Sequence, residues 1–225
     1  MFSAATNAGY SVVSVDEDSD DMFVEESRSL GVHIFRQAKS GVGNARRQSI
    51  AAAKTFAADG DFIVLLEPEK TSMIPHLKSL HALADEQDDL VLFWRNSLDS
   101  YPREQILCYS FGRLLSEYLL NRQLDLFFGP HAIRRTALQF YEQYAGEHDD
   151  KWDAIHVPKY RALTSGKVSW RQLAIDYVHP IDQVSAEIGN LDLFKKRLEQ
   201  AHRLSEALIQ EHQKTRGRDV PPAKF

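Results

Sequence analysis

Residues 41–70 read GVGNARRQSIAAAKTFAADGDFIVLLEPEK. Gly41 and Gly43 make a small turn, and the run from 44 to 58 then sets Ile50, Ala53 and Phe56 on one side at helical spacing. Residues 61–66 are apolar enough for a strand buried on both faces, the pattern of a parallel sheet. The stretch is therefore turn, helix and strand, with Arg46 and Arg47 in the first helical turn and Glu67, Pro68 and Glu69 just past the strand. Cations at one end and carboxylates at the other suit a phosphate held between an arginine fork and a metal ion.

The same alternation extends upstream. The β-branched run SVVSV (11–15) stops at the acidic cluster DEDSDD (16–21), residues 22–30 carry helical spacing up to Gly31, and VHIF (32–35) is a second strand. Strand, helix, strand, helix, strand predicts an α/β fold, a mostly parallel sheet flanked by helices. Downstream the pattern predicts a helix over 73–84, a strand over 89–94, a loop from Asn96 to Pro102 and a helix over 103–120. The segment 124–135 breaks at Gly129-Pro130 before another helix to about Tyr144. A charged loop (147–153), a further helix and an alternating strand within 168–178 follow. From Leu191 to about His212 a C-terminal amphipathic helix places Phe194, Leu198, Ala201, Leu204 and Leu208 near heptad spacing. Packing on its own domain is the preferred reading, with a homodimer through this helix as the alternative. Residues 215–225 are expected to be a disordered tail.

The whole-chain numbers set the class. The 225 residues can bury one sizeable core. A composition of 43% hydrophobic and 26% charged residues, with mean hydropathy −0.39, is that of an ordinary globular chain. No run approaches the roughly 18 apolar residues of a transmembrane helix. One cysteine, Cys108, cannot form an internal disulfide, and the N-terminus lacks the features of a secretory signal, so the expected location is cytoplasmic. A net charge of −5 and a pI near 6.0 argue against nucleic acid as a partner.

In an open parallel sheet, ligands bind beyond the carboxyl ends of the strands, which singles out three places. At 16–21 a carboxylate can accept from a base or a ribose hydroxyl, or the cluster can be an Asx-rich turn capping the next helix. At 41–47 the glycines let backbone N–H groups approach an anion at a helix N-terminus beside Arg46, or they form a plain surface turn. At 67–69 two carboxylates flank a proline, as Mg2+ or Mn2+ would require, or they form an exposed acidic turn paired with Lys70.

In their order along the chain, these places resemble the GT-A glycosyltransferases, most closely the family 2 type, which use a nucleotide sugar as donor. VDEDSDD (15–21) is similar to that family's strand-end acidic motif, GVGNARR (41–47) to its G-x-G-x-A-R-N segment, and EPE (67–69) to its D-x-D elbow. The resemblance implies Asp16 and Glu17 at the nucleobase, with Gly41, Gly43 and Arg46 at the ribose or diphosphate. It places Glu67 beside the donor and Glu69 on a divalent metal, Mg2+ or Mn2+. Downstream, RNSLDSYPREQ (95–105) and LFFGPHAIRR (126–135) look like acceptor-side segments, with Gly129 lining the sugar pocket. Asp149, Asp150 or Asp153 falls where inverting members keep a catalytic base. His179, in DYVH (176–179), falls where some relatives carry a metal ligand. The implied division is a nucleotide-sugar half (1–97), an acceptor half (98–190) and the C-terminal helix with its tail (191–225); the implied partners are a nucleotide diphosphate sugar and a hydroxyl acceptor.

The chain departs from the family in two respects. Residues 1–9 look like the end of the family's first helix, so its first, central strand is expected to be missing, and Glu stands for Asp at both elbow positions. These departures support the alternative of a GT-A-like binding or interaction module that lacks turnover. A sugar-phosphate nucleotidyltransferase would need a lysine in a Gly-rich loop near the N-terminus, and none is present.

Overall fold

The structure, a computed structural model, describes residues 1–83 and 87–215. In chain order its elements are α1 (Phe2–Asn7), β1 (Val12–Asp16), α2 (Asp21–Ser29), β2 (Val32–Arg36), α3 (Val42–Lys54), β3 (Ile63–Leu65), a 3-10 helix (Thr71–Leu77), α4 (Lys78–His81), β4 (Leu90–Arg95), α5 (Arg103–Leu120), β5 (His131–Ile133), α6 (Arg135–Glu142), α7 (Asp153–Thr164), β6 (Trp170–Ile175), α8 (Ile181–Glu187) and α9 (Leu191–Thr215).

Local chemistry explains most boundaries. α2 starts because the Asp20 carboxylate accepts the Phe23 N–H at 2.8 Å, and it ends before Gly31, which takes a φ of +82° that suits a residue without Cβ. The helix expected over 73–84 is instead a 3-10 turn carrying Pro75, followed by the four-residue α4. Proline lacks the N–H that an α-helical turn needs there.

The strands form two groups. β1 and β2 pair in parallel, Val12 opposite Val32 and Asp16 opposite Arg36. The others run in the order β3-β5-β4-β6, with β5 antiparallel to both neighbours and β4 parallel to β6. β5 is the strand the sequence did not announce, since its three residues are too few to show a period. Among the described residues β1 pairs only with β2, and β3 only with β5. Between their free edges lies an apolar cavity of about 930 Å³, where the sequence reading expected a central strand to be missing.

The core is continuous, with Leu90, Val91, Ala132, Ile133 and Leu208 fully buried. In it, Arg95 at the end of β4 forms a two-pronged ion pair with Asp125, at 2.6 and 2.7 Å, and its guanidinium lies 3.8 Å from the Tyr109 ring centre. α9 lays Leu204, Ala207 and Leu208 onto its own chain against α5 and α7, the packing preferred above. Of the tail, only Thr215 is described, as the last residue of α9; residues 216–225 lie outside the described residues.

Candidate active site

The cavity between β1 and β3 extends to the carboxyl ends of both strands. There it is lined by Asp16, Glu17, Arg46, Glu67 and Gly129, so five of the residues singled out in the sequence come together. Asp16 is oriented by its own turn: it accepts from Ser19 N–H at 3.0 Å and Ser19 Oγ at 2.6 Å, and pairs with Arg36 at 2.8 Å. Of the two roles considered for the acidic cluster, the helix cap is seen at Asp20, while Asp16 and Glu17 line the cavity.

Arg46 projects from the first turn of α3, donates from Nη1 to the Lys151 carbonyl at 2.5 Å, and sits 5.9 Å from the Trp152 ring centre. Burial lowers its pKa, and the charges of Glu67, Asp153 and Glu69 work against that shift. Glu67 leaves β3 into a tight enclosure in which its Oε2 has no hydrogen-bond partner. Burial raises its pKa, opposed by Lys70 and Arg46. Gly129 makes room for it: a Cβ there would lie 1.9 Å from Glu67 Oε1.

The segment carrying Gly129 is clamped from behind. The Lys159 ammonium donates to the carbonyls of Leu126 at 2.9 Å and Phe128 at 3.2 Å, and burial lowers its pKa to about 7. Burial also holds His131 neutral, with a pKa of about 3. Its Nδ1–H therefore donates to the Gly129 carbonyl at 2.6 Å, while Nε2 accepts from the Tyr141 hydroxyl at 2.6 Å. Neither residue was singled out from the sequence. The signal for Lys159 was a lysine among the mostly apolar buried positions of one helix.

Gly41, Gly43 and the acids of 149–153 are placed differently. The Gly43 N–H, which an anion would need, donates to the Asp150 carbonyl at 3.0 Å, and a Cβ on Gly43 would overlap the Asp150 side chain at 2.0 Å. Arg47 grips the Asp150 carboxylate at 2.5 and 2.9 Å and holds its pKa down. The first turn of α3 is thus filled by a neighbouring loop. Asp149 pairs with Arg203 at 2.6 Å. Asp153 is buried and accepts from the Tyr144 hydroxyl and from the N–H groups of Asp150 and Lys151, at 3.1 and 2.8 Å. None of the three acids lines the cavity, and each has a structural partner.

Glu69 is exposed, and the segment 178–183 runs beside it: Gln183 donates to the Glu69 carbonyl at 3.0 Å and Ser72 to the Val178 carbonyl at 2.8 Å. His179, buried between those bonds, stacks on Tyr101 at 4.2 Å, and both its ring nitrogens lack partners. Burial lowers its pKa to about 4, which keeps the imidazole neutral and able to bind a metal. Among the described residues no three His, Cys, Asp or Glu side chains converge as a complete metal cage. One carboxylate and one imidazole on adjoining segments would leave the other positions to phosphate and water oxygens, a common arrangement for Mg2+ and Mn2+.

No protein-family model matches the chain, and no curated protein matches it in sequence. Solved structures do match. Glucosyl-3-phosphoglycerate synthase from Mycobacterium tuberculosis in complex with phosphoglyceric acid is 13% identical, with a TM-score of 0.59 over 98% of this chain and 75% of that one. The same enzyme with Mn2+, UDP-glucose and glycerol 3-phosphate is 15% identical, with a TM-score of 0.53 over 93% and 69%. A further structure of it is 14% identical, with a TM-score of 0.58 over 99% and 81%. At such identity the likeness establishes the fold: the chain has the GT-A-like α/β fold expected from its motifs. No helix among the described residues is long and apolar enough to cross a membrane.

Proposed function

We propose that this chain is a glycosyltransferase that moves a sugar from a nucleotide diphosphate sugar to a hydroxyl acceptor with the help of Mg2+ or Mn2+. The observation that carries the reading is the convergence of Asp16, Glu17, Arg46, Glu67 and Gly129 on one cavity. Glu17 and Asp16 would accept hydrogen bonds from the base and ribose, and Arg46 would offset charge on the diphosphate. Glu69, with His179, would hold the metal, whose role is to neutralise the leaving diphosphate. Glu67, backed against Gly129, would set the depth of the sugar pocket. The matched enzyme's complex with Mn2+ and UDP-glucose supports this assignment.

Asp149, Asp150 and Asp153 take structural roles in this reading, because none lines the cavity and each is engaged by a partner. The reaction proposed here therefore draws no base from that loop. A homodimer through α9 would have to use Leu191, Leu198 and Ile209, the large apolar residues of that helix left exposed. The single cysteine fits a cytoplasmic location.

The test is to incubate the protein with UDP- and GDP-sugars, Mn2+ and a panel of hydroxyl acceptors, and to follow release of the nucleoside diphosphate. Donor-dependent release that falls at least about 100-fold in Glu69→Ala supports the metal assignment, a loss of the size seen when one electrostatic contact to a transition state is removed. Undiminished turnover in that variant overturns it. The open cavity beneath the nucleotide end favours one second reading, a binding module without turnover. It predicts a metal-dependent rise in melting temperature with UDP or GDP and no release of product.

A further inference from the structure

We infer that the outward face of α5 is the interface through which two copies of this chain pair, antiparallel about a two-fold axis. Among the described residues, those of α5 left exposed are Arg103, Leu107, Phe111, Leu114, Glu117 and Tyr118. Four of them are large and apolar: Leu107 is 58% exposed, Phe111 45%, Leu114 64% and Tyr118 83%. They follow one another at intervals of four, three and four residues, which bring a helix back to the same side, so they form a single stripe. The core side lies opposite. Tyr109, Gly112, Ser116 and Leu119 are buried there, and a Cβ on Gly112 would lie 2.7 Å from the Phe127 ring. A helix that ends at solvent keeps its outer side polar, whereas one apolar on both sides is built to be covered on both.

The pattern itself identifies the occupant. A two-fold interface needs a surface that complements itself, with residue i on j and j on i. Laid antiparallel about a point between Gly112 and Arg113, the stripe sets Leu107 against Tyr118 of the partner subunit and Phe111 against the partner's Leu114. Every aromatic ring then meets a leucine, so large faces small along about 17 Å of helix. A parallel pair would instead set Phe111 on Phe111 and Tyr118 on Tyr118, and leave leucine facing leucine. The charges agree. Arg103 lies at one end of the exposed face and Glu117 near the other, so antiparallel pairing carries each arginine towards the partner's Glu117, whereas parallel pairing sets like charges together. The four apolar side chains present on the order of 500 Å² per copy, so pairing them removes about 1,000 Å² before the polar rim is counted, enough for a specific interface. None of the four lines the cavity between β1 and β3, so the inference stands apart from the donor site.

Sedimentation equilibrium of the full chain over the micromolar range tests the pairing. The inference predicts a particle of twice the 25.7 kDa of one chain. Leu114→Glu, which sets a carboxylate against the partner's Phe111, should raise the dimer dissociation constant about 30-fold or more, the scale of losing an interface anchor, with an unchanged circular-dichroism spectrum. Leu198→Glu, on the exposed side of α9, should leave the dimer intact. A second measurement reads the direction. In a Cys108→Ser background, Phe111→Cys chains mixed with Leu114→Cys chains should link covalently under mild oxidation faster than either chain links to itself. A single-chain mass throughout overturns the inference, as does a dimer that survives Leu114→Glu or is lost in Leu198→Glu. Self-linking that outpaces mixed linking means a parallel pair and overturns it as well. Neither readout involves donor or metal, so this proposal and the glycosyl-transfer reading fail separately.

Discussion

At the scale of single residues, the site depends on what is absent from Gly129. A methyl group there would sit 1.9 Å from Glu67 Oε1, so Gly129→Ala must displace the carboxylate or the turn. We expect a loss of roughly 1–3 kcal/mol of stability, readable in denaturant melts, together with weaker donor binding. Lys159 offers a pH test. Burial lowers its folded pKa to about 7, below the value near 10.4 of an unfolded lysine. Between those values the unfolded chain binds the extra proton, so stability rises with pH from about 7 towards about 10. Lys159→Met should flatten that rise in a series of thermal melts, and an unchanged slope would remove the assignment. Asp125 is the third case. Replacing it with alanine strands the Arg95 guanidinium in the core, with an expected cost of about 3–5 kcal/mol.

At the scale of elements, the helices differ in how they were legible. α5 spans 103–120 as its sequence predicts, because it begins after Pro102 and ends on Asn121 at φ +52°. α2 was readable from its cap, and Asp20→Ala should cost it about 1 kcal/mol while leaving ligand binding unchanged; a simultaneous loss of nucleotide affinity would mean the cap also shapes the site. The 73–84 helix was misread because Pro75 acts on hydrogen bonding, to which an apolar period is blind. β5 escaped because three residues carry no period, although it ties β3 to β4. α9 was readable as an amphipathic helix, and its burial identifies which residues count. Leu208→Ala, at a fully buried position, should destabilise the protein by about 2–5 kcal/mol, whereas Leu198→Ala, half-exposed, should change little.

At the scale of the whole molecule, the sequence carried the order of elements and the cavity-lining residues, since strand ends and Gly or Arg turns leave local marks. It did not carry contacts that close over long separations. Asp150 reaches back across 103 residues to Arg47 and fills the turn that the Gly-rich pattern had suggested for an anion. Lys159 reaches 33 residues to the Leu126 carbonyl. A local pattern cannot reveal which of two available partners a donor will take, so the glycine turn was legible while its occupant was not. The sheet's division into two groups follows from pairing partners that no short stretch encodes.

The account rests on one diphosphate held between Arg46 and the Glu69 corner. Calorimetric titration of UDP and GDP into the protein, with Mn2+ or with chelator, measures this most directly. We predict one-to-one binding of at least one of the two nucleotides that requires the metal and weakens by about tenfold or more in both Arg46→Ala and Glu69→Ala, about 1.4 kcal/mol or more each. Binding of equal strength in chelator and in both variants would contradict the account.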